Sequence, residues 1–221
     1  MIRFALAITL FALPLLADEN TERLGRAATV LSEIMSAPDQ GIPQDLLNKA
    51  ECAVVVPGLK KGAFIIGAKY GRGYVSCRKE RGPGWSAPAA IRVEGGSFGF
   101  QIGGSETDVV MLVLNERGVQ RLLSSKFTLG GDASVAAGPV GRTAEAQTDA
   151  YMTAEILTWS RSRGVFAGIA LTGATLRQDL DVNRALYGKT LENKEILRSG
   201  LAAPAAATEL LSLLNKYSSR K

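Results

Sequence analysis

The sequence predicts an α+β fold: an antiparallel, β-rich sheet or barrel core with amphipathic helices at its N- and C-terminal ends. Three observations carry this expectation. Glycine-punctuated, β-branched runs follow one another between Cys52 and Leu114 with no helical period among them. Apolar residues recur at helical spacing near both ends of the chain, as Leu24, Ala28, Leu31 and Met35, and as Leu210, Leu211, Leu214 and Tyr217. The regular strand–helix alternation of a parallel sheet is missing. With 221 residues, 46% apolar and 21% charged, the chain suits one domain with a full core.

The first 17 residues stand apart from that domain. Met1-Ile-Arg3 is a short basic start, Phe4 to Leu13 is an apolar run, Pro14 breaks it, and Ala17 precedes Asp18. This is the layout of a secretory signal peptide, with cleavage expected after Ala17 and a single domain over 18–221. The mature chain is then expected in the periplasm or outside the cell. Retention of the segment as a membrane anchor is the alternative. There is no Cys beside Ala17, so a lipoprotein anchor is not expected.

The helix over Thr21–Ser36 ends at Ala37-Pro38-Asp39-Gln40-Gly41, a turn sequence. Pro43 opens a short helix through Lys49. Cys52–Val56 reads as a strand ended by Pro57-Gly58, and Ala63–Ala68 and Tyr74–Arg78 as two more. With hairpin turns at Pro57–Gly62 and Tyr70–Gly73, these form a three-stranded meander. Arg81–Pro88 is a loop carrying Trp85. Ala89–Val93, Ser97–Ile102 and Asp108–Leu114 complete this series. Asn115 caps a helix over Glu116–Leu123. Gly130–Thr143 is again rich in Gly and Ala. Glu155–Arg161 and Val165–Thr172 are strands around Arg163-Gly164. Asp181–Leu186 and Leu191–Arg198 are short helices, and Pro204 opens the last one, to Tyr217.

Of the 24 glycines, 12 fall between Gly58 and Gly104, inside strand-like runs. Glycine in a strand marks a bulge, a bend or a close approach of backbone or ligand. The same region is strongly basic. Gly58–Arg92 carries net +7 in a chain of net +5, from Lys60, Lys61, Lys69, Arg72, Arg78, Lys79, Arg81 and Arg92 against Glu80 alone. A basic segment in an otherwise near-neutral protein suits an anionic partner.

The two cysteines leave alternatives open. An oxidising compartment favours a Cys52–Cys77 disulfide. The meander opposes it, because it places the two on outer strands about 9–10 Å apart, beyond a bridge.

Catalytic patterns fail on context. The chain has no histidine, which removes Ser-His-Asp and Cys-His catalysis and His-ligated zinc. Gly95-Gly-Ser97-Phe-Gly99 fits a nucleophile elbow but lies between strands. Ser76-Cys-Arg-Lys79 fits Ser-x-x-Lys but lies on a strand, without the companion motifs. Gly188-Lys-Thr190 is half a phosphate loop, with Asn183 where the first glycine belongs. Asp179-Leu-Asp181-Val-Asn183 begins like a calcium loop, yet Arg184 stands where glycine is needed, and Asp181 reads as a helix cap. No enzyme activity, metal or cofactor is expected. The residual enzymatic reading would use Asp179 and Asp181.

The basic segment gives the candidate binding residues. Lys60 and Lys61 lie in a turn, and Arg78, Lys79 and Arg81 at a strand end beside Trp85. Cations next to an exposed indole suit a membrane interface, where tryptophan favours the headgroup level. The same face could also be only a solvated surface. Nucleic acid is not expected as a partner of an exported chain.

Several ordered motifs resemble a known family. They are Ala50-Glu-Cys-Ala-Val-Val-Val-Pro57, Gly-Ala-Lys-Tyr-Gly-Arg-Gly-Tyr-Val-Ser-Cys-Arg78, Gly-Phe-Gln-Ile-Gly103, Ala-Gly-Pro-Val-Gly-Arg142, Ser-Arg-Gly-Val-Phe-Ala-Gly168 and Asn183-Arg-Ala-Leu-Tyr-Gly188. Over Thr21 to Tyr217 the chain is similar to the SYLF domain family, in its exported bacterial branch. The resemblance implies a phospholipid-binding α+β module. Eukaryotic relatives bind phosphoinositides, some yeast relatives bind and bundle actin, and an N-terminal amphipathic helix assists membrane binding in eukaryotic members. Here that region holds only Arg23 and Arg26 against Glu22 and Glu33, which departs from those members.

The resulting expectation is an exported, non-enzymatic module that binds anionic phospholipid or a membrane surface through Lys60, Lys61, Arg78, Lys79, Arg81 and Trp85. The alternative is a cell-envelope structural or protein-interaction module. The sequence leaves the oligomeric state open.

Overall fold

Each of the four central strands carries apolar residues at consecutive positions, so both of its faces seek burial. The computed structural model resolves how. It describes residues 13–37, 41–64, 66–98, 103–140, 153–162, 165–169 and 171–218. The chain runs α1 (Leu13–Ser36), α2 (Gln44–Lys49), β1 (Cys52–Phe64), β2 (Ile66–Cys77), β3 (Ala89–Phe98), β4 (Gly103–Val113), α3 (Glu116–Leu122), β5 (Lys126–Thr128) and β6 (Val135–Ala137). Then come β7 (Ile156–Ser162), β8 (Val165–Gly168), β9 (Thr175–Gln178), α4 (Leu180–Tyr187), α5 (Asn193–Arg198), a 3-10 turn (Ala205–Ala207) and α6 (Thr208–Tyr217).

The nine strands form one curled sheet in the order β5-β9-β3-β2-β1-β4-β7-β6, with β8 also on β7. All pairings are antiparallel except β6 with β7. The expected α+β class, with helices at both ends of the chain, is what the structure has.

The side-chain period of two sorts the core into two clusters. On one face Ala53, Val55, Tyr74, Val110, Leu112, Leu157 and Trp159 meet Leu24, Leu31 and Ile34 of α1 and Leu210 and Leu214 of α6. On the other, Val54, Val56, Val75, Ile91, Val93, Val109 and Met111 enclose Phe127, Leu129, Leu176 and Ile196. The sheet curls around this second cluster as an open half-barrel. The helical spacing read in Thr21–Ser36 and Leu210–Tyr217 therefore marks real core faces.

The meander is corrected. Pro57-Gly58 and Tyr70–Gly73 are not turns; both lie within long strands. β1 and β2 form a single hairpin, with Phe64 facing Ile66 at its end. Four β1 residues between Val55 and Lys60 face three of β2 between Tyr70 and Tyr74, so one extra residue makes a bulge. Gly58 adopts φ +65°, and its amide donates to Asp108 Oδ1 at 2.9 Å. Across from the bulge, a Cβ on Gly73 would stand 2.2 Å from the Val55 carbonyl oxygen. These glycines let the bulged strand close on its neighbour. With one hairpin instead of a meander, Cys52 lies directly opposite Cys77, their Cα atoms 3.9 Å apart, and the two form a disulfide.

Other expectations shift by a residue or an element. Asn115 caps α3 by accepting from the Gly118 amide. Asp179, not Asp181, caps α4, accepting from the Val182 amide. Pro204 precedes a 3-10 turn before α6 begins. The short strands β5, β6 and β9 had no period of their own to announce them. The turn at 38–40, the stretch 99–102 of the expected Ser97–Ile102 strand, residues 141–143 of the Gly/Ala-rich run, the 163–164 turn and the first 12 residues of the expected leader lie outside the described residues. No described helix is long and apolar enough to cross a membrane.

Candidate anion-binding site

Between α1 and the bulged stretch of the β1–β2 hairpin lies a cleft of about 370 Å³. Arg23, Arg26, Lys60, Tyr70, Arg72 and Arg161 line it, with Glu19, Glu106 and Asp108. Three of these cations are committed inside the fold. Arg23 is buried and pairs with Glu19 and Asn20. Arg161 bridges Asp108, at 2.6 Å, and Glu33 of α1. Arg72 reaches the buried Asp179 at 3.0 Å. Arg26 and Lys60 are exposed at the mouth.

Beside the cleft the register sets up an unusual charge arrangement. Lys60 faces Tyr70, and Lys61 lies directly opposite Lys69. Like charges directly opposite on an antiparallel pair cost stability. Partial burial and the facing Lys69 ammonium together hold the Lys61 pKa below the usual lysine value. Among the described residues no ion pair engages Lys60, Lys61 or Lys69. Glu94, nearby on β3, is instead taken by Arg92 and Arg177. Tyr70 is 45% exposed, one of the few large apolar residues on the surface.

The six residues picked from the sequence do not form one patch. Lys60 and Lys61 sit on the outer half of β1. Lys79 and Arg81 are exposed in the loop after β2, at the other end of the sheet. Nine residues of extended chain separate Tyr70 from Lys79, about 30 Å.

Arg78 and Trp85 have a different environment from the one expected. Trp85 is 3% exposed, in the core, and not at a loop tip. Arg78 lies over its ring at 4.1 Å. The Arg78 guanidinium donates to the carbonyls of Ala50 (3.2 Å), Leu47 (3.1 Å) and Ser218 (3.1 Å), and to the Ser218 hydroxyl. It ties β2 to α2 and to the residue after α6. An apolar ring and a multiply bonded guanidinium are pulled inward because packing and buried carbonyls reward both.

Sequence reasoning missed Lys69, Tyr70 and Arg26 as site residues. For Lys69 and Tyr70 the reason is the misplaced turn: once Tyr70–Gly73 is read as a turn, Lys69 cannot be seen to face Lys61. Arg26, on α1, comes near Lys60 only through the packing of the helix on the sheet.

The carboxylates offered for catalysis are structural or isolated. Asp179 is buried, caps α4 and receives Arg72. Asp181 is exposed in the first turn of that helix. Asn183, the third residue of the calcium-like triplet, is buried. It accepts from the Ala90 amide and donates to Leu191 O and Asn193 Oδ1. Ser76 is buried on β2, and Ser97 lies on β3. Among the described residues no group of three or more Cys, Asp or Glu is placed to hold a metal.

The profile of a family described as "Ysc84: Las17-binding protein actin regulator" matches residues 94–217, more than half of the chain. The rat SH3 domain-containing YSC84-like protein 1 is 34% identical over 201 residues, covering 88% of this chain and 58% of its own. The Schizosaccharomyces pombe SH3 domain-containing protein PJ696.02 is 38% identical over 177 residues, covering 79% of this chain and 41% of its own. The Saccharomyces cerevisiae protein YSC84 is 35% identical over 179 residues, covering 80% and 38%. The chain thus spans little more than half of these relatives at most. By the profile match and by the motifs it carries, the chain belongs to the Ysc84 (SYLF) family.

Proposed function

We propose that the protein binds anionic phospholipid surfaces through the outer half of the β1–β2 hairpin. The observation that carries this reading is the facing pair Lys61 and Lys69, with Lys60 beside it; among the described residues no ion pair engages these three lysines, although Glu106 stands opposite Lys60 in the register. A fold that holds ammonium groups together bears a repulsion that an external anion relieves. Arg26 at the cleft mouth adds to the same face. Each basic residue near an anionic bilayer contributes about 1 kcal/mol, so the four act as a group. Lys79 and Arg81 form a separate basic point at the far end, and Arg78 and Trp85 support the fold. Removing only these two far-end charges therefore has the smaller effect.

Co-sedimentation with vesicles tests the reading. Binding to phosphatidylglycerol-containing vesicles, falling with salt and absent on pure phosphatidylcholine, is expected. Charge reversal of Lys60, Lys61 and Lys69 to Glu abolishes it. Equal or negligible binding to both lipid types would overturn it.

We further propose that residues 1–17 direct export and are removed. The Cys52–Cys77 disulfide supports an oxidising compartment. An intact mass beginning at Asp18 for the protein isolated from its host is the expected outcome; one beginning at Met1 would overturn it.

A second reading, a protein-binding module, draws on the family's description as a Las17-binding actin regulator. A partner retained after delipidation and at high salt favours this reading over the first.

A further inference from the structure

We propose that a row of four cations across the outer face of the sheet, Arg72, Arg92, Arg177 and Lys126, docks the acidic stripe of a helix in a protein partner. The row shares no residue with the Lys60, Lys61 and Lys69 group offered for lipid, so the two proposals stand apart.

The register assembles the row. Arg72 faces Arg92 across β2 and β3, Arg92 faces Arg177 across β3 and β9, and Arg177 faces Lys126 across β9 and β5. Residues directly opposite on antiparallel strands share one face. The strand neighbours fix which face that is. Ile91, Val93, Leu176 and Phe127 are buried in the cluster that the sheet encloses, so the four cations lie on the outer side. Lys126 and Arg177 lie far along the chain from the basic Gly58–Arg92 segment, and only strand pairing brings them into line with it.

The charges within the row do not balance. Asp179 meets Arg72 at 3.0 Å and Arg92 at 3.8 Å, and Glu94 meets Arg92 at 3.7 Å and Arg177 at 3.3 Å. Asp179 is buried and also caps α4. Among the described residues no ion pair engages Lys126. Four cations thus share two carboxylates. Three like-charge pairs stand directly opposite one another, an arrangement that costs stability and that an external anion relieves. A face kept only for solubility intersperses the two signs.

Shape and spacing select the partner. Arg72, at one end of the row, lines the cleft beside α1. Lys126, at the other end, lines a groove of about 550 Å³ with Gln120, Arg121 and Ser124. The row therefore runs between two concavities, with Arg72 and Arg92 half-buried and Arg177 and Lys126 exposed. A flat bilayer meets the exposed end better than the recessed one. Neighbouring strands lie about 4.8 Å apart, so the row spans roughly 14 Å. Helix residues three or four apart have Cβ atoms about 5–6 Å apart, and three turns cover about 16 Å. Asp or Glu at those intervals meets the cations in turn. In an extended chain, residues on one face recur about every 6–7 Å and fall out of step with the row. The fork of each arginine suits a carboxylate.

Fluorescence anisotropy with two labelled, alanine-based helical peptides of one composition tests the proposal. One carries its glutamates in a single stripe at i, i+4, i+7 and i+11, and the other has them spread around the helix. The wild type is expected to prefer the stripe by roughly tenfold. The double variant Lys126→Gln and Arg177→Gln changes only exposed side chains. It should weaken binding of the stripe by roughly tenfold, with the thermal midpoint little changed. Lys60→Gln, Lys61→Gln and Lys69→Gln together should leave that binding within about twofold, because separate sites act independently.

Equal affinity for the two peptides would overturn the proposal, as would loss of the stripe in the lysine triple variant alone. Phosphatidylglycerol vesicles separate it from the lipid reading. Vesicle binding lost with Lys126 and Arg177, and no preference for the stripe, would assign the row to lipid and overturn the docking site. No vesicle binding by the wild type, with the stripe preference intact, would overturn only the lipid reading.

Discussion

The two halves of the same four strands differ sharply in composition and burial. The inner half, Cys52–Val56 on β1, Tyr74–Cys77 on β2, Ala89–Val93 on β3 and Val109–Val113 on β4, is buried on both faces but for Arg92. It is rich in valine and isoleucine and crossed by the disulfide. The outer half, beyond the Gly58 bulge, is glycine- and lysine-rich, and most of its described residues are exposed or half-buried. Backbone pairing is continuous through both. Hydrogen bonding therefore sets the shape of the hairpins, and burial sets which half carries the stability. The other half is free to carry charge.

Gly73 tests this most severely. A Cβ there would press on the Val55 carbonyl oxygen at 2.2 Å and the Val56 Cα at 2.8 Å, both backbone atoms. Gly73→Ala is expected to cost more than about 4 kcal/mol or to prevent folding. Gly62→Ala, with open space around it, is expected to stay within about 0.5 kcal/mol of wild type. Urea unfolding of the two variants checks the contrast; equal effects would break the comparison.

Next in size is the disulfide, which closes a sequence separation of 25 residues. The double variant Cys52→Ala and Cys77→Ala is expected to lose about 3 kcal/mol in denaturant, with vesicle binding retained because Lys60, Lys61 and Lys69 lie on the outer half of the hairpin.

Tyr74 gives a pH test of the inner half. Its hydroxyl donates to Asn20 O at 3.0 Å, and burial pushes its pKa up to about 12. The folded pKa lies above the unfolded value near 10, so this stability is complete below about pH 10 and is lost as pH rises towards 12. The loss is roughly 2–3 kcal/mol. Tyrosinate absorbance should rise together with unfolding in this window, and Tyr74→Phe should flatten that part of the stability profile.

The smallest effect falls on the outer half. Lys69→Gln removes the charge facing Lys61 and is expected to stabilise the fold by a few tenths of a kcal/mol, about 0.2–0.5. It should weaken binding to anionic vesicles at the same time. A variant that loses stability instead would mean that Lys69 has a structural partner.

Much of the fold was legible because periodicity survives single errors. The helical stripe of α1, the Asn115 cap and the α6 face each follow from local spacing. The bulge defeated that reading. Pro57-Gly58 and the Gly71–Gly73 run carry turn residues, yet here they let a strand bend and a neighbour approach. The candidate site inherited the error. Lys60 and Lys61 lie on the outer half of β1, Lys69 was hidden, and Arg78 and Trp85 turned inward.

By itself, the sequence determined the α+β class, the terminal helices and the excess of positive charge in Gly58–Arg92, because hydrophobic period and charge are local quantities. Only the tertiary structure decided that Cys52 meets Cys77, that Trp85 is core, and that Lys61 confronts Lys69. Those facts depend on register, and register was fixed by one extra residue at a glycine bulge and by which faces the helices covered.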